Sequence, residues 1–290
     1  MAPNNQTKTY TQGYSSDTVA TQQTRTAESE AAFLLPHLRS TDHILDVGCG
    51  PGTITIGFTR YATEGRTVGV DISPDVLRKA KSLAAEAGCS MEREQPGSVI
   101  FEEGDILKGL PYPDETFDVV YCAQLFGYLP PPDLPLTALS EMRRVLKPRG
   151  ILATRDAADQ HFYPRSLNLD RLWVQNFNRA VHWSQGSWSP DADTTATIMP
   201  ALFRRAGFNA DAGGVRISVG TTLYSGRETR EWLARRAESQ LQQGDPLRQS
   251  WLRAGITEEE IEHTLLAVRK WAETEDAWYA ALQCEVLGWK

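Results

Sequence analysis

The feature that most constrains this chain is an exchange between short, almost purely apolar runs and amphipathic ones. Strand-like runs stand at 43–48, at 67–72 (TVGVDI), 99–106 (VIFEEGDI), 117–123 (FDVVYCA) and 150–157 (GILATRDA). A strand wetted on one face alternates apolar and polar residues; these runs do not, so both faces must be covered. Strands covered on both faces and separated by helices imply a mostly parallel sheet, doubly wound with helices on both sides.

The intervening segments carry helix signals. Ala27, Ala31, Leu34, Leu35 and Leu38 share one helical face, which predicts a helix over 17–39. TITIGFTRYA follows the first strand as a second helix. Ser73 is an N-cap with Pro74 at the first helical position, predicting a helix over 74–88. LPLTALSEMRRVLK, 134–147, reads as a helix stopped by Pro148 and Gly150. The second half differs. Residues 158–190 are aromatic and irregular, 193–207 read as a helix, 214–224 as a strand, 227–274 as mostly helical, and 278–288 as a last strand. Thr257 with Glu260 three residues on is a capping box. The expected organisation is one domain over 1–290, with an N-terminal cap (1–40) and helical lid insertions at 158–190 and 225–275.

Composition narrows the class. Hydrophobic residues make up 41% and charged residues 23%, as in ordinary globular chains. A net charge of −7 opposes binding to nucleic acid, where phosphates need a basic surface. The short basic runs RVLKPRG and LFRRAG read as solvated helix ends. The four cysteines, Cys49, Cys89, Cys122 and Cys284, form no C-x-x-C, so no metal site is expected and a reducing compartment is. No apolar run approaches the roughly 18 residues of a membrane span, and MAPNNQTKTYTQGYSS lacks the apolar core of a secretory signal. The expectation is a cytoplasmic protein with no membrane or nucleic-acid partner. Its oligomeric state is left open, with a monomer favoured.

The richest motif is ILDVGCGPGT, residues 44–53. A glycine turn at the end of a first strand lets backbone approach a ligand and aims the next helix at it. Its spacing is G-x-G-x-G, through Gly48, Gly50 and Gly52, and no G-K-[ST] follows, which excludes a phosphate-binding P-loop. Asp71 ends the second strand, where a carboxylate can accept from both ribose hydroxyls. Asp46, just before the glycines, would repel a pyrophosphate and suits a cationic ligand. Gly104-Asp105-Ile106 ends the third strand, where Asp105 can accept from an adenine amino group while Ile72 and Ile106 sandwich the base. An adenosine without phosphates, joined to a cation, describes S-adenosylmethionine.

DVGCGPG, VGVDIS, EEGDI with PYPDETFDVVYCAQLFGYL, and RRVLKPRG resemble the successive motifs of class I S-adenosylmethionine-dependent methyltransferases, from about residue 20 to 157. The resemblance implies a seven-stranded Rossmann-like sheet whose antiparallel last strand, here WYAALQCEVLGWK, is inserted beside the sixth. RTAESEAAFLLPHL with ILDVGCGPGT, and the ending QCEVLGWK, are similar to the ubiquinone/menaquinone-type subfamily and to its fungal secondary-metabolism members. Some of those methylate thiols of epidithiodiketopiperazines. Carried onto this chain, the resemblance implies Asp46, Gly48 and Gly50 at the methionine end, and Asp71 and Ile72 at ribose and adenine. Gly104, Asp105 and Ile106 would close over adenine, and Cys122 and Gln124 would line the sulfonium pocket. Tyr14 and Arg25, before the first strand, belong to a segment that folds over the cofactor in relatives. Many relatives carry histidines where this chain has Gln124 and Tyr128, so their base is not carried over.

The acceptor side is less defined. Phe162, Tyr163, Trp173, Phe177, Trp183 and Trp188 would shape a lid or fill a helical core; Trp232, Trp251 and Trp271 read as core anchors. Tyr128, Asp156 and His161 are the candidate catalytic residues, with His182 and Asp159 competing. No strong base constellation stands out, which suits a thiol, amine or acidic phenol. Three functions follow: methylation of a small-molecule secondary metabolite, with S-methylation of a thiol foremost; quinone-type C-methylation; or S-adenosylmethionine binding without catalysis. The product in the first two is S-adenosylhomocysteine.

Overall fold

The computed structural model describes residues 16–183, 189, 192–209 and 213–290. Tyr14 and Trp188 lie outside them. Two compact units are present.

The first unit comprises Val19–Gln160, Asp193–Leu223 and Ala280–Lys290. Its centre is a seven-stranded sheet. In chain order the strands are β1 (His43–Val47), β2 (Arg66–Asp71), β3 (Ser98–Glu103), β4 (Phe117–Ala123), β5 (Leu146–Tyr163), β6 (Val215–Tyr224) and β7 (Trp278–Trp289). The order across the sheet is β3-β2-β1-β4-β5-β7-β6. The pairs β1–β2, β1–β4, β2–β3 and β4–β5 are parallel. At the end of β7, Lys290 N donates to Gly150 O and Arg149 N to Lys290 O, so the last strand returns antiparallel along β5. The expected doubly wound sheet with β7 inserted beside β6 is therefore the observed one.

Alternate residues of the strands feed different cores, as a period of two requires. Leu45 and Val47 of β1, with Val120 and Cys122 of β4, join Ala138, Leu139, Met142 and Val145 of a helix over Asp133–Val145. Ile44, Val119 and Tyr121 point the other way, onto Ala27, Ala31, Leu34 and Phe58. Leu77, Ala80 and Ala84 of the helix Pro74–Glu86 cover Val99 and Phe101 of β3.

Local differences have local causes. The expected helix over 17–39 is broken into α1 (Ser16–Gln23), α2 (Ala27–Glu30) and a 3-10 turn at Leu35–His37. Thr26 is the reason: its hydroxyl accepts from Ser29 N and starts a fresh helix, and Pro36 ends the pattern. The burial face survives, since Ala27, Ala31 and Leu34 are fully buried. The strand expected over 99–106 stops at Glu103. The one expected over 150–157 runs from Leu146 to Tyr163, because the preceding helix ends at Val145 ahead of Pro148.

The second unit is built mainly from His161–Ala192 and Tyr224–Tyr279. It contains a π-helical turn at Asp170–Gln175 and helices at Asn176–His182, Arg227–Gln240, Pro246–Arg253 and Glu258–Glu273. Trp251 and Trp271 are fully buried and anchor its two clusters. Phe162 packs on Trp271 at 5.2 Å and Trp173 on Trp251 at 5.6 Å, so these aromatics fill a helical core. The Thr257–Glu260 capping box is present.

Candidate functional site

The carboxyl ends of the parallel strands bring most of the sequence-derived residues into one row. β1 and β2 are in register through Val47 and Val70, β2 and β3 through Asp71 and Glu103, β4 and β5 through Ala123 and Arg155. Strand order reverses between β1 and β4, and a crevice at such a switch point is where open α/β sheets bind ligands. Gly48, Asp71, Gly104, Gln124 and Asp156 all fall at this edge.

The glycine turn is held from beneath. Gly48 N and Cys49 N both donate to Val70 O, at 2.8 and 3.0 Å. Gly48, Gly50 and Gly52 have φ of +73°, +55° and +79°. A Cβ on Gly52 would stand 2.6 Å from the Phe101 ring, so this glycine is demanded by packing as well as by conformation. α3 (Thr53–Phe58) starts directly after it. The opening segment lies against the turn: a Cβ on Gly50 would be 3.5 Å from Gln22 Oε1. Arg25, three residues on, is half-buried, and its backbone N donates to Gln22 O.

Asp71 braces the turn. Its Oδ2 accepts from Gly50 N and its Oδ1 from Ser73 N, both at 3.0 Å. A carboxylate has about four acceptor positions, so each oxygen keeps capacity for a hydroxyl. Burial pushes this carboxyl above its ordinary range against those amide bonds. Asp46 is only 2% exposed. Thr55 donates its hydroxyl to Oδ2 at 2.6 Å. One hydroxyl does not offset the loss of water, and burial pushes Asp46 up to about 7. A cation beside it would relieve that cost.

Ile72 is 42% exposed, an apolar side chain standing in water at this edge. Ile106 differs: it is buried, in one cluster with Leu110, Leu129 and Phe126. Cys122 is likewise fully buried in that cluster, its thiol pushed well up by burial. Period-two alternation places Cys122 on the same face of β4 as Val120. Gly104 is a packing requirement, since a Cβ there would stand 2.7 Å from Val70 Cγ1. Asp105 accepts from Leu107 N and pairs with Lys108, both at 3.0 Å.

After β4 the chain turns at Gln124, in the left-handed region with φ +55°. Gln124 N donates to Arg155 O at 2.8 Å, and its Nε2 to Gln283 Oε1 at 2.7 Å. Leu125 reaches back to the glycines, its Cδ1 3.5 Å from a Cβ on Gly48. The turn Phe126–Tyr128 follows, with Tyr128 half-buried. Asp156, 2% exposed, holds this turn: Oδ1 accepts from Phe126 N at 2.8 Å and Gly127 N at 3.4 Å. Its Oδ2 is buried without a partner, and burial pushes the carboxyl up to about 7.

His161 belongs to the helical unit. Its Nδ1 lies 2.8 Å from Asp170 Oδ2, which Arg165 also binds at 2.6 Å. Among the described residues no group of three His, Cys, Asp or Glu is placed to hold a metal ion, and no helix is long and apolar enough to cross a membrane.

Sequence reasoning missed one cluster. Arg155, 2% exposed, binds Glu30 Oε2 at 2.5 Å, Glu285 Oε1 at 3.2 Å, and Thr222 Oγ1 at 3.4 Å. Gln283 Nε2 donates to the same Thr222 hydroxyl at 3.1 Å. A charge inside the apolar strand GILATRDA was the available signal.

Seven strands in this order, with a glycine turn after the first and a carboxylate at or next to the end of each of the first two, define a Rossmann-like methyltransferase fold. The chain belongs to the methyltransferase domain family, which it matches over residues 38–207. It is 67% identical over 291 residues to a protein of Aspergillus luteorubrus named probable methyltransferase ltbC, covering 100% of both chains. An uncharacterized methyltransferase of Schizosaccharomyces pombe is 32% identical over 235 residues, 78% of this chain and 77% of that one. The crystal structure of Bacillus subtilis YcgJ shares the fold, with a TM-score of 0.55 at 16% identity over 90% of this chain and 97% of that one.

Proposed function

We propose that this methyltransferase uses S-adenosylmethionine and acts on a small-molecule acceptor of fungal secondary metabolism, S-methylating a thiol. The carrying observation is the pairing of Asp71, braced on Gly50 N, with the buried Asp46, a carboxyl that burial pushes up to about 7 and that a neighbouring cation would stabilise in its charged form. That pair suits a ribose and a cation and opposes a pyrophosphate. The fit extends to Ile72, exposed where an adenine face would lie.

In this reading Asp71 accepts from the ribose hydroxyls, and the glycine turn and Arg25 serve the methionine end. Asp105 serves the adenine amino group. Gly104, Ile106 and Cys122 contribute backbone and core. Bound there, S-adenosylmethionine supplies an electrophilic methyl on a sulfonium, which an in-line nucleophile takes to leave S-adenosylhomocysteine. The chain's part is alignment and exclusion of water. Asp156 acts by holding the turn that carries Tyr128. A thiol, ordinary pKa about 8.5, ionises enough near neutrality to react without a strong base.

Two measurements test this. Asp71→Ala should weaken S-adenosylmethionine binding by calorimetry at least tenfold, through loss of charge-assisted hydrogen bonds; unchanged affinity sinks the ribose assignment. Mass spectrometry would follow methyl transfer to a reduced epidithiodiketopiperazine dithiol, a quinol, a catechol and a secondary amine. Transfer to the dithiol alone supports the thiol reading, and transfer to the quinol moves the protein to C-methylation. Binding without turnover on any of them supports a silent binder.

A further inference from the structure

Gln124 is over-determined for a turn residue. A non-glycine residue in the left-handed region is strained, and the strain persists where the surroundings impose it. Here they do so twice, through Gln124 N on Arg155 O and Gln124 Nε2 on Gln283 Oε1. Gln283 is itself buried on β7 and tied to Thr222 on β6. Thr222 receives Arg155 Nη2, and Arg155 is locked between Glu30 and Glu285. The chain of bonds has a direction. A guanidinium only donates, so Thr222 Oγ1 accepts at the far end. With Gln283 Nε2 also donating to it, Gln283 turns its carbonyl oxygen toward Gln124. One N–H of the Gln124 amide is thereby committed to Gln283, which fixes the orientation of the amide.

We propose that Gln283 is a positioning residue that fixes the Gln124 amide, so that Gln124 presents a carbonyl oxygen to the methyl acceptor and selects acceptors bearing an S–H, O–H or N–H. The location supports this: Gln124 directly follows β4 at the switch point, and its neighbour Leu125 lies close to Gly48 of the glycine turn. The proposal deepens the functional reading above and rests on it. Its specificity follows from pairing: a site built around a fixed acceptor disfavours a ligand that leaves that acceptor unpaired.

The test compares wild type with Gln124→Met, Gln283→Met, the double variant and Gln283→Glu. Readouts are kcat and KM on the dithiol, S-adenosylhomocysteine affinity by calorimetry, and solvent exchange of the Gln124 side-chain amide by NMR, assigned by its absence in Gln124→Met. Gln283→Met should lower kcat/KM at least tenfold while S-adenosylhomocysteine affinity stays within about twofold, and should speed the Gln124 amide exchange at least tenfold. Gln283→Glu can only accept from Gln124, so it should recover most of the loss. The double variant should be no worse than Gln124→Met, because Gln283 acts through Gln124. Wild-type kinetics in Gln283→Met, multiplying losses in the double variant, or a Glu variant as poor as the Met variant would each overturn the proposal. A wild type silent on all four acceptors would remove the functional reading instead. The amide exchange then decides, and exchange unchanged by Gln283→Met refutes the positioning role.

Discussion

Replacing Asp46 by Asn isolates what a buried acid costs this fold. Asp46 is 2% exposed, with Thr55 donating to it. Burial is the main cause that lifts it from 3.8 to about 7, and the nearby Asp71 adds to the rise. Between those values the native state holds a proton that the unfolded chain has released. Stability therefore falls as pH rises across that window and levels off above about 7. Fully expressed, a displacement of that size is about 4 kcal/mol. Asn can still accept from Thr55 but does not titrate. An unpartnered amide NH2 would cost about 1–3 kcal/mol, a constant independent of pH, so the slope carries the result. Urea midpoints measured from pH 5 to pH 8 should show the variant gaining about 2.5 kcal/mol on the wild type across that interval. Asp156, pushed up similarly, is present in both proteins and cancels. A difference that stays flat over this range would refute the assignment of the strain to Asp46.

Two contrasts test the packing. Gly52→Ala should destabilise by about 2–4 kcal/mol, since it adds a left-handed penalty to overpacking on Phe101 and Ala80. Gly88→Ala, with φ +70° and nothing within 4 Å of the new methyl, should cost only about 1–2 kcal/mol; equal losses in urea titrations would contradict the role given to Phe101. Arg155→Met strips the cation from the buried Glu30 and the half-buried Glu285 and should cost about 3–5 kcal/mol. Glu30→Gln leaves the Arg155–Glu285 pair and should cost less than half as much by the same assay, and a reversed ranking would show that Arg155 is not the hub.

The legible parts of the fold were those whose cause is local. β1 to β4 announce themselves because burial on both faces leaves no room for alternation, and Ser73–Pro74 is a complete helix start. The segment before β1 misleads for an instructive reason. Ala27, Ala31 and Leu34 do share a buried face, but Thr26 and Pro36 cut the helix around it, and a periodicity argument reads through caps. The reach of β5 to Tyr163 was invisible because ADQHFY carries no strand pattern of its own. The pairing that extends it lies elsewhere in the chain.

The candidate site divides along the same line. Asp46, the glycines and Asp71 stand within one strand-turn-helix-strand unit, so their spacing alone tells what class of ligand they suit. The second cluster is assembled from Gln124, Arg155, Thr222, Gln283 and Glu30, contributed by the turn after β4, β5, β6, β7 and α2. Each looks unremarkable in its own segment. Only the insertion of β7 between β5 and β6 brings Gln283 to Gln124, across 159 positions of sequence. Yet each residue breaks its local pattern in one way: a charge inside an apolar strand, an acid on the buried face of α2, an amide at a buried position of β7. Polar residues at buried positions cost stability unless paired, so several such breaks in one chain imply that they pair with one another. The motif read from one segment suits a class of ligand, and the cluster built from long-range pairs is where the proposal above places the choice of acceptor.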